Sequence, residues 1–515
     1  MSQHAPSQQA AIAQTLIHTC TRFQVVNFFV SPGSRSTPLL LAALSHPQVR
    51  LHRIVDERGA AYAALNFARA SSQPVAVITT SGTAAGNLMP AVMEADRAGI
   101  PLLLLTADRP PELLGVGANQ TTRQKDLFLN LVRASWQLPT GNHETPALNE
   151  IARQLSECLV KLDHPLPGPV HINCPFREPF FLEAIDPPRI TIPLRDAPEE
   201  PDLPDAILAR VRSAKRPLIT LGRIETVKEQ SLLAPILQHL RLPIYTDIGS
   251  GFRLTQFPSH VSGLELIIQS TKFCPQPPDF VLHIGSYTVS KHYWQWLTSQ
   301  SQTPQICQLS FRGESVNPML IPTHYHDRLR PEQIASILQE CTKLPANDWL
   351  TSTIPHTMSD MMENVSPPWL PPLMQQLPCP ASFFFGNSSV PRYFQLFALP
   401  SQPQPVPVAI NRGVSGIDGN LHSLLGWTLG NELPAIAVMG DLTFYHDLNA
   451  LPFLSKLPFP LLIIVLNNAG GSIFYNLPIA SHSEICDYWF ACRDAVELPI
   501  PDLARTFNFQ YHCIE

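Results

Sequence analysis

The 515-residue chain is short of charge, of patterned cysteines and of long apolar runs. Only 15% of its residues are charged, against 44% hydrophobic, and the net charge is -6. Binding nucleic acid through its phosphates needs a cationic surplus, so this balance argues against a nucleic-acid partner. It also argues against a disordered chain, which would carry more charge and less apolar content. No apolar run reaches the ~18 residues that span a bilayer, and the start, MSQHAPSQQAAIAQ, has neither a basic nor an apolar leader region. The expectation is a cytoplasmic globular enzyme with no membrane partner. The ten cysteines (20, 158, 174, 274, 307, 341, 379, 486, 492, 513) form no C-x-x-C pair and no zinc spacing, which in a chain this long reads as reduced, mostly buried thiols. Thr323-His324-Tyr325-His326-Asp327 offers metal-ligating side chains, but no further ligands cluster nearby in sequence and a polar loop explains it as well. GVGANQ (115–120) lacks the third glycine of a dinucleotide loop.

Proline, in contrast, is plentiful at 53 residues, and many of these fall in two stretches, Pro187 to Pro204 and Leu344 to Pro380. Such segments act as semi-rigid spacers, and they divide the chain into 1–186, 187–350 and 351–515. Each piece repeats a short aliphatic or β-branched run, a Gly/Ser/Asn-rich turn and a helical segment. The runs are VVNFFV, PVAVITT, IPLLLLTAD and PVHINCP in the first piece; RPLITLG, LPIYTD and DFVLHIGS in the second; and ASFFFGNSS, PVPVAINRG, AIAVMGD and LLIIVLNNAGG in the third. Nearly continuous apolar runs are what strands buried on both faces require. The expected fold class is therefore α/β, with three doubly wound domains and mainly parallel sheets. Ligands on such sheets bind at the carboxyl ends of the strands, where the polar motifs of this chain gather.

One of these is Ser31-Pro32-Gly33-Ser34-Arg35-Ser36-Thr37-Pro38, an Arg among small residues between a strand and a helix. That setting suits an anion, because backbone N–H groups and the helix dipole point the same way; a solvated turn with Pro38 opening the helix is the simpler alternative. More informative are AVMGDLTFYHDLNAL (437–451) and IIVLNNAGG (463–471). Asp441 ends one run and Asn467-Asn468 end the next, with 24 residues between Leu442 and Asn467. In a βαβ unit the two strand ends lie side by side, so a carboxylate, an amide and free carbonyls converge, an oxygen set that suits Mg²⁺. Gly470 and Gly471 would let backbone approach a diphosphate. An acidic pair, Asp56 and Glu57, opens a helix rich in small residues, HRIVDERGAAYAALNFARA, either as a cap or as a functional acid.

The G-D and N-N pair at this spacing resembles the signature of the thiamine diphosphate enzymes, with Leu442 where many relatives have Gly. More narrowly, SPGSRSTP, DERG, TSGTAAGNLMPAVMEA, LLTADRPPELLGVGANQTTRQ, VHINCPFREP, FFGNSSVPR, NRGVSGIDG, GDLTFYHDLNALP and NNAGGSIF are similar to the 2-succinyl-5-enolpyruvyl-6-hydroxy-3-cyclohexene-1-carboxylate synthases of menaquinone biosynthesis. The resemblance implies pyrimidine and diphosphate domains flanking a central one, and thiamine diphosphate with Mg²⁺ or Mn²⁺ as cofactors. It implies decarboxylation of 2-oxoglutarate and addition of the resulting succinic semialdehyde carbanion to isochorismate. Glu57 is then the acid beside the aminopyrimidine. Asp441, Asn468 and Gly470 hold the metal, and Asn387, Ser388, Gly416, Ile417, Leu442, Gly471 and Ser472 complete the cofactor site, with Ile417 as the wedge between its rings. Ser34, Arg35, Arg109, Asn119, Gln120, Lys291, Ser388, Arg392 and Arg412 are expected around the carboxylate-rich substrates, since Arg pairs bidentately with carboxylates. Phe474 and Leu477 are expected as an apolar cover. The resemblance further implies a homodimer or homotetramer with each site shared between subunits. The family usually continues beyond FNFQYHCIE, so the last domain is expected to be cut short. Two other readings stay open: another thiamine diphosphate carboligase or decarboxylase, against which stands the absence of a His-His pair, and a truncated, non-catalytic protein of this fold.

Overall fold

A computed structural model describes residues 5–140, 147–178, 180, 204–269, 274–299, 303–313, 315–351, 367, 369–376, 380–492 and 499–514. The chain forms three sheets in which every strand pairing is parallel. In spatial order the first contains Arg50–Arg53, Asn27–Val30, Val75–Thr79, Leu102–Asp108, Val170–Pro175 and Ala134–Gln137. The second runs Thr323–His326, Gln305–Leu309, Phe280–Ile284, Pro217–Leu221 and Ile244–Thr246, and the third Val408–Ile410, Ser382–Phe385, Ala435–Gly440 and Leu461–Leu466. The α/β doubly wound class is thus the observed one. Of the two proline-rich stretches read as spacers, nearly all of the first and about half of the second fall outside the described residues.

Central strands such as Leu102–Asp108 and Phe280–Ile284 are buried along their whole length, as their nearly continuous apolar sequences require. Four strands escape the sequence reading: Arg50–Arg53, Ala134–Gln137, Gln305–Leu309 and Thr323–His326. Three of them are sheet edges with polar, partly exposed side chains. Thr323–His326 is therefore an edge strand and not a polar loop, and among the described residues no three His, Cys, Asp or Glu side chains gather to hold a metal. The nine described cysteines are all free, five of them buried, and Cys379 lies outside the described residues. The segment between Asp441 and Asn467, expected as a helix, is broken into short turns at Asp441–Tyr445, Leu448–Ala450 and Leu451–Leu454.

The first and third sheets are joined by a pair of helices, Glu57–Ser71 and Asn420–Asn431. A β-carbon at Gly59 would strike the His422 ring, one at Gly426 the Ala63 backbone, and one at Gly430 Ala70 and Phe67. Contacts that advance together along both chains mean that the helices lie side by side and point the same way. Small residues on both faces permit this approach. Their apolar side chains merge with residues of both sheets into one core, including Tyr62, Leu65, Leu421, Leu424 and Trp427. A second core joins the central unit to the third sheet through Ile248 and Leu254, which pack with Phe383 and Phe385.

Candidate cofactor and substrate site

The end of the third sheet brings two loops together. Gly440 is in register with Leu466, so Asp441 and Asn467 leave adjacent strands at the same level. Asp441 is buried, and its two carboxylate oxygens accept the N–H groups of Leu442 at 2.8 Å and Gly470 at 2.7 Å. Gly470 has φ +131°, a conformation open to glycine but strained for other residues. Asn468 donates its amide to Ser472 Oγ at 2.7 Å, which leaves its side-chain oxygen as an acceptor. A carboxylate, an amide oxygen and loop carbonyls form an all-oxygen set, which fits a hard divalent cation such as Mg²⁺.

Asn387 sits at the end of the neighbouring strand, fully buried, and donates to the carbonyls of Asn411 and Gly416, both at 2.6 Å. Its own Oδ1 is buried without a partner, an acceptor facing a donor that the protein does not supply. Ile417 follows Gly416, and on its other side Asp418 accepts from Tyr62 OH at 3.0 Å. Burial, with Asp418 beside it, raises the Tyr62 phenol above its usual range and keeps it a donor. Tyr62 belongs to the Glu57 helix, so Ile417, the expected wedge, and Glu57 are carried on elements in direct contact. At the helix start Asp56 caps the Arg58 N–H at 3.0 Å, and Glu57, half-buried, takes the first helical position. Arg58 reaches the His446 carbonyl at 2.9 Å, and Asn449 donates to Asp56 at 2.5 Å, anchoring the helix start to the segment that follows Asp441.

The other expected side chains fall into two groups. Around the first sheet, Arg109 bonds Ser81 Oγ and the Gln120 carbonyl, and Gln120 donates to the Ser81 carbonyl at 2.8 Å; Asn119 is exposed beside it. Arg35 is buried and committed within the chain: it donates to the Phe176 carbonyl at 2.9 Å, pairs with the exposed Glu178 at 3.2 Å and stacks on Phe180. Burial, then the like charge of Arg109, lowers its pKa from the usual guanidinium value. Ser34 is exposed just before it.

The second group lies against the third sheet. Arg392 lies in the first turn of the Val390–Phe397 helix, where it bonds the Ser388 carbonyl. Arg412 lines a cavity of about 210 Å³ between the third sheet and the central unit, together with Arg223, Asp247, Tyr287 and Thr288. Burial, then Arg392, lowers Arg412 to about 10, so it remains a cation at neutral pH. Burial raises Asp247 to about 6, although its oxygens accept the N–H groups of Val289 at 2.5 Å and Gly249 at 2.8 Å. Lys291 is exposed at the start of the helix that follows this wall of the cavity. Phe474 packs against Phe490 and Leu477 is 47% exposed, both on the loop after Asn468. Among the described residues no hydrogen bond or ion pair joins the two Arg groups.

The sequence reading missed Asn66, Arg69, Glu94 and Asn411. Arg69 and Glu94 are buried at 1% exposure each, and both bond the loop that carries Arg412. The only signal was a charged residue on an otherwise apolar helical face in NLMPAVMEADRAG.

Residues 11–127 match the model of the thiamine pyrophosphate enzyme N-terminal TPP binding domain. Curated relatives bear the name 2-succinyl-5-enolpyruvyl-6-hydroxy-3-cyclohexene-1-carboxylate synthase. The one from Chlorobaculum tepidum is 36% identical over 98% of this chain and 89% of its own length. Those from Pelodictyon phaeoclathratiforme and Rubrobacter xylanophilus are each 34% identical, over 94% and 95% of this chain and 85% and 88% of their own. With a buried Asp441 tied to the loop of Asn468, an acid opening the paired helix, and this likeness along nearly the whole sequence, the chain belongs to the thiamine diphosphate-dependent 2-succinyl-5-enolpyruvyl-6-hydroxy-3-cyclohexene-1-carboxylate synthase family.

Proposed function

We propose that the chain joins 2-oxoglutarate to isochorismate, with loss of CO2, to give 2-succinyl-5-enolpyruvyl-6-hydroxy-3-cyclohexene-1-carboxylate. The observation that carries this reading is the convergence of Asp441 with the Asn468–Gly470 loop at adjacent parallel strand ends. Asp441, Asn468 and a loop carbonyl at Gly470 would hold Mg²⁺, and Asn387, Ser388, Gly416, Ile417, Leu442, Gly471 and Ser472 would surround the cofactor. When bound, thiamine diphosphate supplies the carbanion stabilisation that decarboxylation of a 2-oxo acid demands. Glu57 would place its carboxyl group beside the aminopyrimidine nitrogen for proton exchange. Arg412 and Arg392, with Ser388 and Lys291 nearby, offer positive charge to a substrate carboxylate, and Arg35, Arg109, Asn119, Gln120 and Ser34 offer a second such place. Phe474 and Leu477 exclude water from the reacting carbons.

Three units, 1–186, 187–350 and 351–515, provide these parts. We further propose a homodimer or homotetramer in which each site is shared. Its support is that Glu57 stands on the first unit and Asp441 on the third, so one cofactor draws on separate units of the fold. The cytoplasm is the proposed location; no described helix is long and apolar enough to cross a membrane.

The test is direct. Purified protein with thiamine diphosphate, Mg²⁺ and both substrates should consume isochorismate and release CO2 in equal amounts. Glu57→Gln should lower turnover by roughly 10²–10⁴-fold while the chain stays folded. Cofactor binding without turnover in the wild type would refute the reaction, and sedimentation showing a fully active monomer would refute the shared site.

A further inference from the structure

Glu94 stands on the Met89–Ala98 helix of the first unit, yet its carboxylate is spent on the third. Oε1 accepts the N–H of Gly413 at 2.9 Å and Oε2 the N–H of Val414 at 2.8 Å. These are the two residues after Arg412. The residue before it, Asn411, is held as firmly: its Oδ1 accepts from Asn66 and Arg69, both at 3.1 Å, and its Nδ2 donates to Ser423 at 2.8 Å. Arg69 also lies 3.6 Å from Glu94 and 3.1 Å from Glu225, and Glu225 pairs in turn with Arg223 of the cavity wall. All four charged groups are nearly or fully inaccessible to water. The closeness also depends on Gly413, where a β-carbon would come within 2.9 Å of both Glu94 and Arg97.

A buried carboxylate on two successive N–H groups fixes backbone strongly, because charge-assisted hydrogen bonds are the stronger kind and removal of one partner leaves a buried group unpaired. Arg412 adjoins the peptide so fixed and lines the cavity. We infer that Glu94 is a positioning residue for substrate: clamped by Arg69, it sets the approach of Arg412 to a substrate carboxylate from a different unit of the fold. The inference rests on Arg412 meeting such a carboxylate in the reaction proposed above.

The experiment uses the full-length protein with Glu94→Gln, Arg412→Ala and the double variant. Hydrogen exchange across Gly413 and Val414 is measured first, since it does not depend on activity. Glu94→Gln should speed exchange there by roughly 10- to 100-fold, with distant strands unchanged. In steady-state kinetics it should raise, by a similar factor, the KM of whichever substrate Arg412→Ala weakens. The kcat should stay within about threefold, and thiamine diphosphate affinity should not change. On the Arg412→Ala background, Glu94→Gln should add nothing. Equal losses in both backgrounds, or a fall in kcat with KM unmoved, would overturn the positioning role, and unchanged exchange would overturn the clamp itself. If Glu94→Gln does not fold, Glu94→Asp replaces it, keeping the charge but unable to span both N–H groups; its exchange and KM should move the same way, and no movement refutes the inference. A wild-type protein without turnover would refute the reaction instead, while the exchange result still decides the clamp.

Discussion

Replacing Gly426 by Ala tests the helix pair on which the site is built. On an exposed helix this change is stabilising by up to about 1 kcal/mol, because Ala loses less backbone freedom than Gly. Here the new methyl group would stand 1.9 Å from the Ala63 carbonyl oxygen and 2.6 Å from its carbon. An ordinary C···O approach is ~3.3 Å, so the helices would have to part by roughly 1.4 Å. Overpacking of this kind costs about 1–3 kcal/mol, and a gap near 1 Å forfeits a quarter to a half of each dispersion contact across the rest of the interface. The obstacle is backbone, which cannot swing aside as a flexible side chain does. The net effect is a loss of at least about 2 kcal/mol, read as a lower urea midpoint with an unchanged slope. Gly86, which has nothing within 4 Å of its missing β-carbon, is the control, and Gly86→Ala should be neutral or slightly stabilising. Turnover should fall further than the folded fraction, since Glu57 begins the displaced helix. A Gly426→Ala variant as stable as Gly86→Ala would refute the close packing and the placement of Glu57 that follows from it.

Two more outcomes follow from single carboxylates. Asp247 has its pKa raised by burial from 3.8 to about 6, so between those values the folded state binds the extra proton. Its contribution is fully present below the unfolded pKa and is lost as pH rises through about 6; the loss between pH 5 and pH 7 is on the order of 1 kcal/mol. Asp247→Asn should remove that slope from a plot of unfolding free energy against pH, and an identical slope would refute it. Asp441→Asn keeps only one acceptor for the N–H groups of Leu442 and Gly470 and removes the charge offered to a cation. It should raise the Mg²⁺ needed for cofactor binding at least tenfold in a calorimetric titration, and an unshifted Mg²⁺ dependence would count against Asp441 as a ligand.

How much of this was legible in the sequence depended on whether the signal was local. Strands buried on both faces announce themselves as aliphatic runs, and the interior strands LLLLTAD and FVLHI are where such runs predict. The partly exposed edge strands RLHR, ASWQ and THYH carry no aliphatic run, which is why they read as connecting segments. The edge strands Val408–Ile410 and Leu461–Leu466 do carry one and were legible. Asp441 and Asn468 were legible because βαβ geometry converts their spacing into adjacency. Glu94 and Arg69 were not, because their partners lie 319 and 342 residues away in the chain. The same holds for Arg35. Its surroundings in SPGSRSTP suggest a free cation at a helix start, whereas Phe176 and Glu178, more than a hundred residues on, already take two of its N–H donors.

The backbone of the polar loops adds a reason that has nothing to do with distance. Gln120, Ser388, Ser415 and Ala469 all have positive φ, between 58° and 70°. Each such non-glycine residue costs roughly 1–3 kcal/mol and persists only where its surroundings hold it. Those surroundings are visible. Gln120 is held through Ser81 and Arg109, Ser388 through Arg392, Ala469 through Asn467 and the bond from Gly470 to Asp441. Ser415 lies between Val414, fixed by Glu94, and Gly416, fixed by Asn387. A sequence reader relies on glycine to mark such turns, and at these four positions the mark is absent. The strain falls on loops that carry expected site residues, and the bonds opposing it are all made within the protein. Loops held in this way keep their shape before any ligand arrives, so less ordering remains to oppose binding.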